Sequence, residues 1–181
     1  MKISVKQELP YSAEDVFTAF RDRMLDYIKF CPNLTKVVIM SREDVDENTT
    51  KMRVQWHGLG QIPDVIRAIL KPEMISWEDW EEWDKSALEC RWTIKPYYFR
   101  EFVKSEGVWK FEPRGDSKCA ASCTGIFNVN ITHFPPFPSF ICRSASPLIE
   151  KMIGSYVQPN LKSVFGAVGK FIADERKKKC K

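Results

Sequence analysis

The chain has 181 residues, 44% hydrophobic and 29% charged, the proportions of an ordinary soluble domain long enough to bury a real core. Its formal net charge of +4 sits at the far C-terminal end, where Arg176, Lys177, Lys178, Lys179 and Lys181 leave the remainder at about −1. A near-neutral body whose basic residues are not interleaved with aromatics excludes nucleic acid as a partner, and no apolar run approaches the roughly 20 residues that span a bilayer.

Residues 2–9 alternate, with Ile3 and Val5 on one side, as in a half-buried strand. This charged start lacks the apolar core of a secretory signal, so a cytoplasmic, intracellular protein is expected. After Pro10, Ser12 caps a helix, with Asp15 in place of the usual capping-box Glu. Its apolar stripe runs Val16, Phe17, Phe20, Met24, Tyr27 and Ile28, and Pro32 closes the segment. Residues 33–43 read as a strand, followed by a polar turn and a second strand over 49–57. There Met52, Val54 and Trp56 face one way and Arg53, Gln55 and His57 the other. Residues 58–63 break the pattern, and Ile62, Val65, Ile66, Ile69 and Leu70 form a short helix between Pro63 and Pro72.

Four strands joined as hairpins follow, over 73–83, 87–97, 99–111 and 118–132. In the first of them, Trp77 and Trp83 share one face and Trp80 takes the other. The proline-rich segment 133–138 then leads into a helix over 144–178. Its apolar face includes Ile149, Met152, Ile153, Tyr156, Leu161, Val164, Phe165 and Val168 at helical steps. Ser144 or Ser146 caps it, Pro147 falls in its first turn, and the closing cations suit the dipole. Roughly thirty residues span about 45 Å. Pro159 predicts a kink just before Asn160. Gly154, Gly166 and Gly169 leave space beside the backbone, for close packing or for a ligand.

Consecutive hairpin strands imply an antiparallel meander, and only the terminal helix is long enough to cover one face. The fold class is α+β: a curved antiparallel sheet wrapped around a long C-terminal helix, one domain over 1–175 and a basic tail over 176–181. Sheet and helix enclose an apolar space, open at one end unless aromatic side chains fill it. The six Cys, at 31, 90, 119, 123, 142 and 180, show no C-x-x-C pairing and read as reduced and mostly buried. No metal site or cofactor is expected.

Catalytic signals are sparse. His57 and His133 have no adjacent nucleophile and read as ordinary histidines. The acids of the 77–84 run suit acid–base work if buried together, although solvent-facing acids are the commoner arrangement. Arg53 and Arg91 alternate with Trp56 and Trp92. They lie outside if the Trp side faces inward, and the reverse parity turns one of them toward an anionic headgroup.

The order of elements resembles the helix-grip fold of the SRPBCC superfamily, which includes STAR-related lipid-transfer, birch-pollen-allergen, polyketide cyclase and coenzyme-Q-binding proteins. Locally, Trp56-His-Gly58 followed by Ile62-Pro63-Asp-Val-Ile-Arg-Ala-Ile69 looks like the strand end and lid helix of the PRELI phospholipid-transfer group. Asn160 and Lys162 sit where that group's terminal helix faces a lipid phosphate. His57 and Leu59-Gly60 lengthen the spacing, and Pro159 is outside the pattern. The resemblance implies non-catalytic binding or transfer of a lipid or other hydrophobic small molecule, with residues 59–72 as a lid or a permanently packed connector. Candidate cavity residues are Trp56, Ile66, Trp92, Phe111, Phe127, Met152, Tyr156 and Phe165; headgroup candidates are Arg53, Asn160 and Lys162. The basic tail is a candidate contact for an acidic membrane surface. A polyketide cyclase/aromatase-like enzyme and a co-chaperone or interaction module with a filled core are the alternatives.

Overall fold

Seven alternating segments become the strands of a single sheet. In the computed structural model, which describes residues 1–59, 64, 71–130 and 138–179, these are β1 (Lys2–Leu9), β2 (Leu34–Asp44), β3 (Thr49–Gly58), β4 (Ser76–Asp84), β5 (Glu89–Pro96), β6 (Val103–Pro113) and β7 (Cys119–Val129). Their order is β1-β7-β6-β5-β4-β3-β2, with every neighbouring pair antiparallel. Strands β2 to β7 follow one another as a meander, and β1 pairs with β7. Two register shifts, between Leu34 and Lys36 and between Ile39 and Ser41, interrupt the β2–β3 ladder.

The register aligns Val54, Asp79, Ile94, Ser105 and Phe127 in one row across β3, β4, β5, β6 and β7. Directly opposed residues point to the same face, so this row lies on the inner side with Met52, Trp56, Trp83 and Trp92. The outer side carries Trp80, with the Arg53 guanidinium carbon 4.8 Å and Lys95 Nζ 3.3 Å from its ring centre.

Two strands begin three or four residues later than the alternation predicts. Pro72–Met74 is a 3-10 turn, so β4 starts at Ser76. Phe99 takes a left-handed φ of 62° before a second 3-10 turn, Arg100–Phe102, so β6 starts at Val103. The expected first helix is also broken. Helix α1 (Ala13–Asp22) is followed at Arg23 (φ −122°) by the one-turn α2 (Met24–Tyr27). Arg23 holds the break, its guanidinium bonded to Asp26 at 2.6 Å and lying 4.7 Å from the Phe171 ring centre. The cap of α1 is as expected, with Ser12 Oγ accepting the Asp15 N–H at 3.1 Å. Ser12→Ala should therefore lower stability by about 1 kcal/mol, measured as a fall in the urea midpoint.

The terminal helix α3 (Ser139–Lys179) starts five residues before the expected 144 and runs through both Pro147 and Pro159. Neither Ser144 nor Ser146 is its cap. The Pro138 carbonyl accepts the Ile141 and Cys142 N–H groups at 3.0 and 3.3 Å and so opens the helix. The two serines lie inside it, donating back to the carbonyls of Phe140 (2.9 Å) and Cys142 (3.2 Å). At the other end the helix continues into the basic run. Arg176 is pinned to Asp15 at 2.8 Å and lies over the Tyr11 ring, while Lys177, Lys178 and Lys179 are exposed. Of the described residues, no helix is long and apolar enough to cross a membrane.

Helix α3 packs on β1, β7, α1 and α2, and the interior it covers divides in two. At one end, the α1 residues Phe17 and Phe20 enter between helix and sheet. Ring centres there are 5.4 Å apart for Phe17–Trp83, 5.0 Å for Phe20–Trp109, 5.3 Å for Phe20–Phe111 and 5.4 Å for Trp109–Phe165. Edge-on and tilted contacts at these separations fill the space. The five described cysteines, Cys31, Cys90, Cys119, Cys123 and Cys142, are buried.

Candidate functional site

Away from α1, no aromatic cluster among the described residues fills the interior, and a cavity of about 200 Å³ remains beneath the first half of α3. Its floor is the inner face where β4, β5, β6 and β7 begin or end: Trp77, Ile94, Pro96, Val103, Ser105, Phe127 and Val129. Its roof is Ile149, Val157 and Asn160 of α3, and Leu59, Met74 and Phe99 border it from the loops. None of the described lining residues is charged.

Besides Ser76 and Tyr98, two polar features interrupt the apolar lining. Asn33 Nδ2 donates to Asn160 Oδ1 at 2.6 Å, tying the start of β2 to the middle of α3. Ser105 is 1% exposed, and its Oγ has no hydrogen-bond partner among the described residues. An unsatisfied buried hydroxyl is unusual enough to require an explanation.

Just past the cavity floor, β4 turns two carboxyls inward. Asp79 and Glu81 alternate with Trp77 and Trp83, so all four share the inner face. Burial pushes the Asp79 carboxyl well above the usual carboxylate range, and the nearby Glu81 charge adds to this. Burial raises Glu81 to about 7, against the opposing effect of a 2.8 Å hydrogen bond donated by Trp83 Nε1. The indoles of Trp56 and Trp77 lie beside Asp79 and hold its pKa down somewhat. Neither N–H reaches hydrogen-bonding geometry, however, and Asp79 Oδ1 has no partner among the described residues. On the opposite face, Glu78 accepts from Arg53 at 3.0 Å, from Trp80 at 3.0 Å and from Tyr97 at 3.0 Å.

The candidate residues from the sequence therefore separate. Phe127 and Asn160 line the cavity. Phe111 and Phe165 are instead packed in the aromatic cluster, because Phe20 reaches both rings. Trp92 lies flat on β6 and β7, where Gly107 and Gly125 leave room for its ring. Trp56 lies beside Asp79, and neither tryptophan lines the cavity. Arg53 is on the outer face, ion-paired with Glu78, and so is placed away from any buried headgroup. Arg91 is also exposed, 3.6 Å from Glu89, and Lys162 is exposed outside the lining. Ile66, His133 and the side chains of Met152 and Tyr156 lie outside the described residues, as does the expected lid helix except Asp64.

Sequence reasoning passed over Ser105, Asn33 and the inward direction of Asp79 and Glu81. For the two acids a signal was present, since residues two apart share a face and both stand at the parity of Trp77 and Trp83. Nothing in the sequence marks Ser105 beyond its place two residues from Val103 and Gly107.

No family model and no curated protein matches the chain. Solved structures do. A protein from Thermus thermophilus aligns at 16% identity over 97% of this chain and 99% of its own, with a TM-score of 0.69. The Zhui aromatase/cyclase from Streptomyces sp. R1128 aligns at 15% identity over 95% of each chain, TM-score 0.67. A START superfamily protein from Mycobacterium smegmatis aligns at 14% identity over 93% of this chain and 97% of its own, TM-score 0.54. The architecture is thus the helix-grip fold of START-type proteins, a fold shared by an enzyme and by proteins without a stated reaction. At such identities the likeness concerns the fold alone.

Proposed function

We propose that the protein binds an apolar small molecule or a lipid segment, without catalysis, in the cavity between the sheet and α3. The observation that carries this reading is a lining with no charged side chain among the described residues, in which Trp77, Ile94, Phe127, Ile149 and Val157 border a cavity of about 200 Å³. Each methylene moved into such a space contributes about 0.8 kcal/mol, so a segment of roughly six contributes about 5 kcal/mol before the costs of association. Phe127 and Asn160 are the sequence-derived candidates retained as ligand contacts. The exposed lysines at the end of α3 suit docking on an acidic membrane.

A cyclase-like enzyme is the second reading, favoured by the buried Asp79 and Glu81 and by the likeness to the Zhui aromatase/cyclase. The carrier reading is preferred because neither acid is among the cavity's lining residues.

Organic extraction of the purified protein followed by mass spectrometry should recover a stoichiometric apolar compound. Val157→Trp, which fills the roof, should weaken binding of a fluorescent fatty-acid or naphthalene probe by at least about ten-fold, equivalent to 1.4 kcal/mol, while the thermal midpoint is kept. Probe binding absent from the wild type, or unchanged in the variant, would sink the carrier reading. Turnover of an aromatic polyketide-like substrate, lost in Asp79→Asn, would replace it with the enzyme reading.

A further inference from the structure

We infer that the ligand is uncharged where it is buried and carries a neutral oxygen, a hydroxyl or a carbonyl, that bonds to Ser105 on the cavity floor. This inference rests on the cavity-binding reading above and gives its ligand a chemical class.

Ser105 sits in the middle of β6, where the register places it between Ile94 and Phe127. Both neighbours are apolar and both line the cavity. Its hydroxyl has one proton to donate and two lone pairs to accept with. Among the described residues none of these is used, although the side chain is 1% exposed. A buried hydroxyl without a partner destabilises the fold, whereas alanine in its place leaves no such deficit. The other polar side chains at the lining differ from it. Asn33 and Asn160 bond to each other at 2.6 Å, Ser76 stands at the opposite strand parity to Trp77, Tyr98 is exposed, and the Trp77 N–H, also without a partner among the described residues, is turned beside Asp79. Ser105 is the lining hydroxyl left for a ligand to complete.

The charge of that ligand follows from what surrounds it. No described lining residue is cationic, Arg53 is paired on the outer face, and Lys162 is exposed away from the lining. A buried anionic headgroup would have no counter-charge among the described lining residues. It would also lie near the inward-facing carboxyls of Asp79 and Glu81, with Asp79 in the same cross-strand row as Ser105. A neutral oxygen meets neither objection. It donates to or accepts from Ser105, while the apolar body lies along Phe127 and Ile149.

Three molecules of nearly the same shape test this: butylbenzene, 4-butylphenol and 4-butylbenzoate, titrated calorimetrically at neutral pH into wild type, Ser105→Ala and Ser105→Cys. Wild type should bind the phenol about ten-fold more tightly than the arene, and the benzoate most weakly. Both variants should bind phenol and arene alike, with arene affinity kept or improved and thermal midpoints no lower than wild type by more than a few degrees. Arene affinity also reports whether each variant's cavity is intact. A phenol preference that survives in both folded variants, or equal phenol and arene affinity in wild type, overturns the Ser105 anchor alone. Tightest binding of the benzoate overturns the uncharged ligand. Failure of all three to bind wild type overturns the cavity-binding reading and this inference with it.

Discussion

Thermal stability should fall as pH rises from 5 to 8, and the double variant Asp79→Asn/Glu81→Gln should lose most of that slope. A carboxyl whose pKa is raised by folding holds more protons in the folded than in the unfolded chain. The stability linked to it is complete below the ordinary carboxylate pKa and is withdrawn as pH climbs through the folded value. For Glu81, raised by burial from 4.5 to about 7, the window opens near pH 4.5 and closes above 7. Asp79, raised further by burial and by Glu81, extends it to higher pH. At 1.36 kcal/mol per unit, Glu81 alone accounts for ~3 kcal/mol, or on the order of 5–10 °C in Tm for a chain of this size. Asp22 and Glu78 act at lower pH. Against partial burial, Arg21 and Arg42 hold Asp22 below the usual range, and Arg53, Tyr97 and Trp80 do the same for Glu78. Their linked stability is complete by about pH 5, so the descending limb belongs to the inward-facing pair. Circular-dichroism melts at pH 5, 6, 7 and 8 decide the matter: a wild-type Tm that is flat or rises over that range contradicts the burial of these acids.

Gly107→Ala should destabilise the fold by about 3 kcal/mol or more, with Gly125→Ala close behind. The two glycines face each other across β6 and β7, beneath the Trp92 ring. A methyl built on Gly107 collides with the Thr124 carbonyl and the Trp92 ring; one on Gly125 comes within 2.5 Å of the Glu106 carbonyl oxygen and 2.9 Å of Trp92 Cζ2. Backbone carbonyls in a ladder do not yield, and the Trp92 indole is itself buried. Gly166 is the control. A methyl there meets nothing within 4 Å, so Gly166→Ala should raise stability by up to about 1 kcal/mol through helix propensity. Denaturant midpoints measured side by side separate the cases, and a Gly107→Ala protein as stable as wild type would show that Trp92 does not rest where described.

These effects follow from which side of a strand a residue occupies; the sequence showed which residues share a side, but not which side faces inward. The alternation of Met52, Val54 and Trp56, and the opposite placement of Trp80 and Trp83, needed only the two-residue period of a strand. The β2-to-β7 meander followed from hairpin spacing and the covering helix from its length, whereas the pairing of β1 with β7 did not. The division of the interior did not. Phe111, Phe127 and Phe165 look alike as letters, yet only Phe127 lines the cavity, because Phe17 and Phe20 enter at the other end. That depends on where α1 crosses the sheet, a tertiary fact. The start of α3 was misplaced because Ser144 and Ser146 imitate caps, and the break at Arg23 depends on contacts with Asp26 and with the ring of Phe171, far downstream in the chain.

The β2 end of the sheet has a consequence for solubility. Among the described residues β2 has a neighbour on one side only, and Ile39 and Met40 along it are 37% and 49% exposed. A straight, greasy rim of that kind recruits strands from other molecules. The register shift between Ile39 and Ser41 bends the backbone at this spot, and Lys36, Arg42 and Glu43 add charge on either side. Straightening that bend by deleting one residue would convert a protected margin into a template for self-assembly.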